Sequence, residues 1–168
     1  MSMRRIFTAA LVAGFLSGCA ASSSIQPVQG NAPAVDSAKS GAVEVSTSLP
    51  GKSETAAALK AAIAAQLVSK RVFKSVADAA TSDYVLRVDI VEVSEVNQAT
   101  RILLGALAGQ SEITANCAVL ERKGNKVIGS MVAKGASSGG HIFAGTTQET
   151  IDVVATKIVD YLLINRKI

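Results

Sequence analysis

Two cysteines and one histidine in 168 residues leave little from which to build a disulfide framework, a metal centre or a histidine-driven active site. The lone His141 cannot form a zinc site, because no cysteine or carboxylate lies at ligand spacing around it. Cys117 falls within a strand-like apolar alternation and reads as a core thiol. A reactive thiol would want a base or metal beside it, and only the distant His141 is on offer. A nucleotide loop is missing too: the glycine-rich stretch from Ser137 to Gly145 is followed by Thr146-Thr147, not by the Lys-Ser/Thr pair of a Walker loop. No serine stands in a nucleophile-elbow context, and Asp78, Asp83, Asp89, Glu92 and Glu95 scatter over loops and strand faces as solvated charge. The expectation is a protein that is not an enzyme and holds no cofactor or metal.

A strong excess of one charge is also lacking. The chain carries 17 basic and 13 acidic residues. Loss of Arg4 and Arg5 with an N-terminal leader leaves 15 against 13, a mature charge of about +2. The remaining basic residues are scattered, with no stripe interleaved with aromatics, which argues against nucleic-acid binding. Arg166-Lys167 reads as a helix-end pair opposing the dipole.

What is present begins at the N-terminus. Two arginines, Arg4 and Arg5, precede an uncharged apolar run from Ile6 to Leu16, and Leu16-Ser17-Gly18-Cys19 follows. Basic region, short apolar region and small residues form the order of an export signal. The apolar run is far shorter than the ~20 residues of a membrane-spanning helix. Leu16-Ser17-Gly18-Cys19 resembles the lipobox of bacterial lipoproteins at all four positions. The resemblance implies diacylglycerol on the Cys19 thiol, cleavage between Gly18 and Cys19, and acylation of the new amine. More than one acyl chain gives stable anchoring, each buried methylene adding ~0.8 kcal/mol. Ala20, in place of the aspartate that marks inner-membrane retention in enteric-like bacteria, favours an outer-membrane protein facing the periplasm.

Residues 1–18 are thus expected to be the signal peptide, residues 19–40 a flexible tether rich in Ala, Ser, Pro, Gly and Gln, and residues 41–168 one folded domain. Ala42, Val43 and Val45 suggest a strand. Ser53 to Lys70 is an alanine-rich helix with Ala56, Leu59, Ile63 and Leu67 on one face. Val72, Phe73 and Val76 form a short strand or packed turn. Asp83 to Val93 alternates Tyr84, Leu86, Val88 and Ile90 against Arg87 and Asp89. Ser111 to Arg122 and Lys126 to Ala136 make an antiparallel hairpin across Gly124-Asn125, with Glu112, Thr114, Asn116 and Arg122 outward. A final helix starts at a capping box, Thr146 to Glu149, and buries Ile151, Val154, Ile158, Tyr161 and Leu162. The order β-α-β-β-β-α predicts an α+β two-layer sandwich, a mainly antiparallel sheet with two helices on one face.

Two segments stand out for function. Gln98 to Gly109 is too apolar for an ordinary loop. It reads either as a short crossover packed on the core or as an exposed element, with Ile102, Leu103, Leu104 and Leu107, that meets a membrane or partner. Gly139, Gly140 and the helix start at Thr146 read either as a flexible turn, with Phe143 plugging the core, or as an anion site at a helix N-terminus.

Taken together, Asp83-Tyr84-Val85-Leu86-Arg87-Val88, the Gly105-containing segment, Ser111-Glu112-Ile113-Thr114 and the loop into Thr146-Thr147 resemble a family of short bacterial lipoproteins. Its domain of unknown function is numbered forty-four ten, and the resemblance runs from about Val43 to Leu163. It implies no activity and carries over no catalytic residue. The element order is also similar to small envelope domains, among them the lipoproteins that activate peptidoglycan synthases and the curli secretion lipoprotein, though the long proline-rich tether of the synthase activators is missing. Fold alone does not fix function. The expected role is a membrane-anchored, non-enzymatic envelope lipoprotein that binds an envelope protein or forms a homo-oligomer. The alternative is a periplasmic module for a small molecule or anion.

Overall fold

The computed structural model describes residues 21–29, 32–96, 109–138 and 147–167. Two helices are present among them, α1 (Ser53–Ser69) and α2 (Thr147–Leu163). In α1, Ala56, Leu59, Ile63 and Leu67 recur at three- and four-residue spacing and all are buried. In α2 the same period buries Ile151, Val154, Ile158, Tyr161 and Leu162. The helices lie side by side: Gln66 Nε2 donates to Thr156 Oγ1 at 2.8 Å, and Lys70 pairs with Asp160 at 2.5 Å.

Six strands form one sheet in the order β1-β6-β5-β4-β2-β3. They are β1 (Ser22–Gln29), β2 (Ser40–Thr47), β3 (Ser75–Val76), β4 (Tyr84–Ser94), β5 (Glu112–Glu121) and β6 (Lys126–Ala136). Neighbours from β1 to β4 are antiparallel, whereas β2 runs parallel to both β4 and β3. Parallel pairing needs a crossover, which α1 supplies between β2 and β4.

Side-chain alternation decides the faces. Tyr84, Leu86, Val88 and Ile90 are buried, while Arg87 and Asp89 are exposed. Register carries that division across the sheet, with Val88 opposite Cys117 and Cys117 opposite Met131. Ile113, Ala115, Cys117, Val119, Met131 and Ala133 therefore join the two helix stripes in one core. Gly135 lets α2 approach β6: a Cβ there would overlap Val154 Cγ2. Gly41 makes the same kind of room for the Phe73 ring.

The tether expected over residues 19–40 is corrected by the structure: residues 22–29 are a strand. Ser22 pairs with Ala136, Ile25 with Ala133 and Pro27 with Met131. A strand at the sheet edge needs only one neighbour, so it tolerates proline and few apolar residues. Its backbone hydrogen bonds to β6 are invisible to an apolar-period reading. Residues 32–39 are tied down as well. Val35 is fully buried, its carbonyl accepts from Lys167 N at 2.8 Å, and Ala32 O accepts from Asn165 Nδ2 at 2.7 Å. The expected order β-α-β-β-β-α thus gains β1 at its start, and Ser75–Val76 supplies the short strand β3. The β5–β6 connection is also longer than a two-residue turn. The ladder closes at Glu121–Lys126, and Asn125 N donates to Arg122 O at 3.0 Å across residues 122–125. Gly124 and Asn125 take φ of 94° and 49° there.

Candidate functional site

The face of the sheet away from the core is polar and open. Two cross-strand rows occupy its centre. One runs Glu44, Arg87, Ala118 and Ser130; the next runs Ser46, Asp89, Asn116 and Val132. All of these residues except Val132 line a groove of about 940 Å³, with Val28 of β1 and Lys60 of α1 also lining it. The charges are matched along the rows. Arg87 Nε stands 3.1 Å from Glu44 Oε2, and Ser46 Oγ donates to Asp89 Oδ1 at 3.2 Å. Nearer the end of β4, Thr114 Oγ1 donates to Glu92 Oε2 at 3.2 Å. The Arg87 and Glu44 side chains are 61% and 46% exposed. Such a pair contributes about 0–1 kcal/mol to stability. Its consequence is a surface on which charged and hydrogen-bonding groups stand among apolar side chains such as Val28 and Ala118.

Toward the β5–β6 hairpin the face is closed by the turn after β3. Asp78 Oδ1 accepts from Ala80 N at 2.7 Å, Ser82 Oγ donates to Asp78 O at 2.9 Å, and Arg122 donates to Ala79 O. That turn adjoins Val85, which is consequently buried although it points away from the core. At the same end, Asp83 Oδ2 accepts from the Ser40 N–H at 2.9 Å and its hydroxyl at 2.8 Å. These two donors hold the Asp83 carboxyl below its ordinary value of 3.8. Asp83 therefore clamps the starts of β2 and β4 together. Phe73 stacks on Tyr84 with ring centroids 5.7 Å apart, and Lys39 Nζ lies 5.4 Å from the Tyr84 ring centroid.

Cys117 sits on the core side, and burial pushes its thiol up to about 12. A thiol so desolvated is protonated at neutral pH and is a poor nucleophile. Among the described residues, no group of three or more His, Cys, Asp or Glu side chains is placed to hold a metal ion. No helix among them is long and apolar enough to cross a membrane.

The site residues expected from sequence fall elsewhere. Gly18 and Cys19, the apolar set Ile102, Leu103, Leu104 and Leu107, and the Gly139, Gly140 and Thr146 set all lie outside the described residues, as do His141 and Phe143. Sequence alternation did place Arg87, Asp89 and Asn116 on the outward face. Val28 went unnoticed because β1 has no apolar period, and Lys60 because helix periodicity shows only that it points away from the core.

This architecture defines a class: a mixed α/β domain in which a six-stranded sheet packs with two helices and keeps a polar face open. Within that class the chain belongs to the family described as Domain of unknown function (DUF4410), which matches residues 24–140. The match begins inside β1, in agreement with that segment being part of the fold. No curated protein matches the chain. Solved structures share the fold, two of them as follows. PelC from Paraburkholderia phytofirmans, described as a dodecamer, is 12% identical with a TM-score of 0.59, covering 84% of this chain and 98% of its own. Protein XCC0632 from Xanthomonas campestris, a DUF330 protein, is 16% identical with a TM-score of 0.56, covering 82% of this chain and 90% of its own.

Proposed function

We propose that this protein is a non-enzymatic lipoprotein of the outer membrane, held there by lipid on Cys19, whose periplasmic two-layer domain assembles with copies of itself. The observation that carries the anchor is Leu16-Ser17-Gly18-Cys19 after a short charged and apolar leader. Self-assembly is supported by the two sides of the sheet. On one side, β1 is an edge strand with Val28 and Ile164 each 66% exposed nearby. On the other, β3 pairs along only Ser75 and Val76, and Val68 is 62% exposed. Edge strands beside apolar side chains are templates for pairing with another chain. Two different edges meeting head to tail generate rings when the rotation closes. A dodecamer of a chain with this fold, PelC, supports the same reading.

Light scattering on the detergent-solubilised protein tests the assembly. A discrete multimer is expected, reduced to monomer by Val28→Lys, which places a charge on the β1 edge. A wild-type protein that stays monomeric at all concentrations contradicts self-assembly and leaves an envelope protein as the partner.

A further inference from the structure

Four strand termini line up at one end of the sheet. Ser22 of β1 lies opposite Ala136 of β6, Ala136 opposite Glu112 of β5, and Glu112 opposite Ser94 of β4. At a strand spacing of ~4.8 Å this row is about 15 Å long. Cys19 stands three residues before Ser22. A chain of that length spans at most ~11 Å. The headgroup region of a bilayer is itself about 5–8 Å deep on each side. A domain whose first strand starts at Ser22 has no room to stand away from a membrane that holds Cys19.

Two further segments join the described chain at this end of the sheet. Residues 97–108, between Val96 and Gly109, include Ile102, Leu103, Leu104 and Leu107. Residues 139–146, between Ser138 and Thr147, include Ile142 and Phe143. The charges fixed near the row do not favour an anionic surface: Lys52 is paired with Glu95 at 2.7 Å, and Lys134 is outnumbered by its neighbours Glu92 and Glu112. The opposite end carries Lys39, Lys74, Arg122, Lys123 and Lys126 together with Asp78, Asp83 and Glu121, and Lys39 pairs with Glu121 at 3.7 Å. The remaining excess of cations, on the hairpin, would favour anionic headgroups at that end. The eight residues of β1 separate it from Cys19, however, by a further ~26 Å of extended strand.

We propose that the sheet end marked by Ser22, Ala136, Glu112 and Ser94 rests against a zwitterionic lipid surface, with the basic hairpin end directed away from it. This orientation builds on the reading of Cys19 as lipidated. It is tested with the full-length protein, expressed in its host and reconstituted into phosphatidylcholine vesicles that carry a lipid-attached quencher. A fluorophore is placed at Glu112→Cys, at Ser94→Cys and at Lys123→Cys in separate preparations. Buried Cys117 stays unlabelled in the native fold, and intact mass reports acylation in the same samples. Quenching several-fold stronger at positions 94 and 112 than at 123 is the expected result. Quenching at 123 equal to or above that at 94 and 112 overturns the orientation, as does an acylated protein quenched at none of the three. Unacylated protein still quenched at 94 and 112 would sink the anchor and keep the orientation. Unacylated protein quenched nowhere would sink both.

Discussion

Replacing Gly135 with alanine puts a methyl where α2 crosses β6. The added Cβ would overlap Val154 Cγ2, while the next neighbours, Val154 N and Thr150 O, stand at 3.5 and 3.6 Å, ordinary contact. Val154 is fully buried, so it cannot swing into solvent. An unhindered Gly→Ala change inside a strand gains roughly 0.5–1 kcal/mol. Overpacking of this kind costs about 1–3 kcal/mol. Gly135→Ala is therefore expected to destabilise where an ordinary strand glycine would not. Val154→Ala alone deletes two buried methyl groups and should cost about 2 kcal/mol. In the double variant the overlapping atom is gone and only the ordinary contacts remain. The pair should then be less destabilised than the sum of the single changes, by at least about 1 kcal/mol. Urea unfolding of the four proteins, read as midpoint times slope, measures the cycle. Additivity within about 0.5 kcal/mol would refute the close approach of α2 to β6 at Gly135.

The other predictions concern β1, Asp83 and Cys117. The amides of Ser22 to Gln26 that pair with β6 should be protected in native-state hydrogen exchange, whereas a solvated tether would exchange throughout at the free-chain rate. The Asp83 carboxyl is held below 3.8 by Ser40, so its contribution is complete above that ordinary value and is lost as pH falls through the folded value. Asp83→Asn should lower stability at pH 7 and flatten the acid side of the stability curve, and an unchanged acid limb would count against the clamp. Cys117, raised to about 12, should resist iodoacetamide at pH 8 in the folded protein and react at once in urea. Prompt labelling of native protein would show that the β4-β5-β6 core is more open than described.

The elements with a clean period were legible in sequence. Leu59, Ile63 and Leu67 marked the buried side of α1, and the alternation from Tyr84 to Ile90 marked both faces of β4. β1 was not legible, because a serine- and glutamine-rich segment with Pro27 is held by backbone pairing and has little apolar pattern of its own. Val35 was missed for a related reason: it is a lone core residue in a segment held by backbone hydrogen bonding to Lys167, far along the chain. The parallel partnership of β2 with β4 is likewise a tertiary fact, since alternation within a strand says nothing about the direction of its neighbour. For the polar groove, alternation located Arg87, Asp89 and Asn116. The pairing of Glu44 with Arg87 required the register.

The central claim is that the domain is tied to a membrane through Cys19. Intact-mass analysis of the protein from its own host, combined with membrane fractionation, tests it most directly. A chain beginning at Cys19, heavier by the mass of its acyl groups and partitioning with the outer membrane, is the expected result. An unmodified, water-soluble product would contradict it.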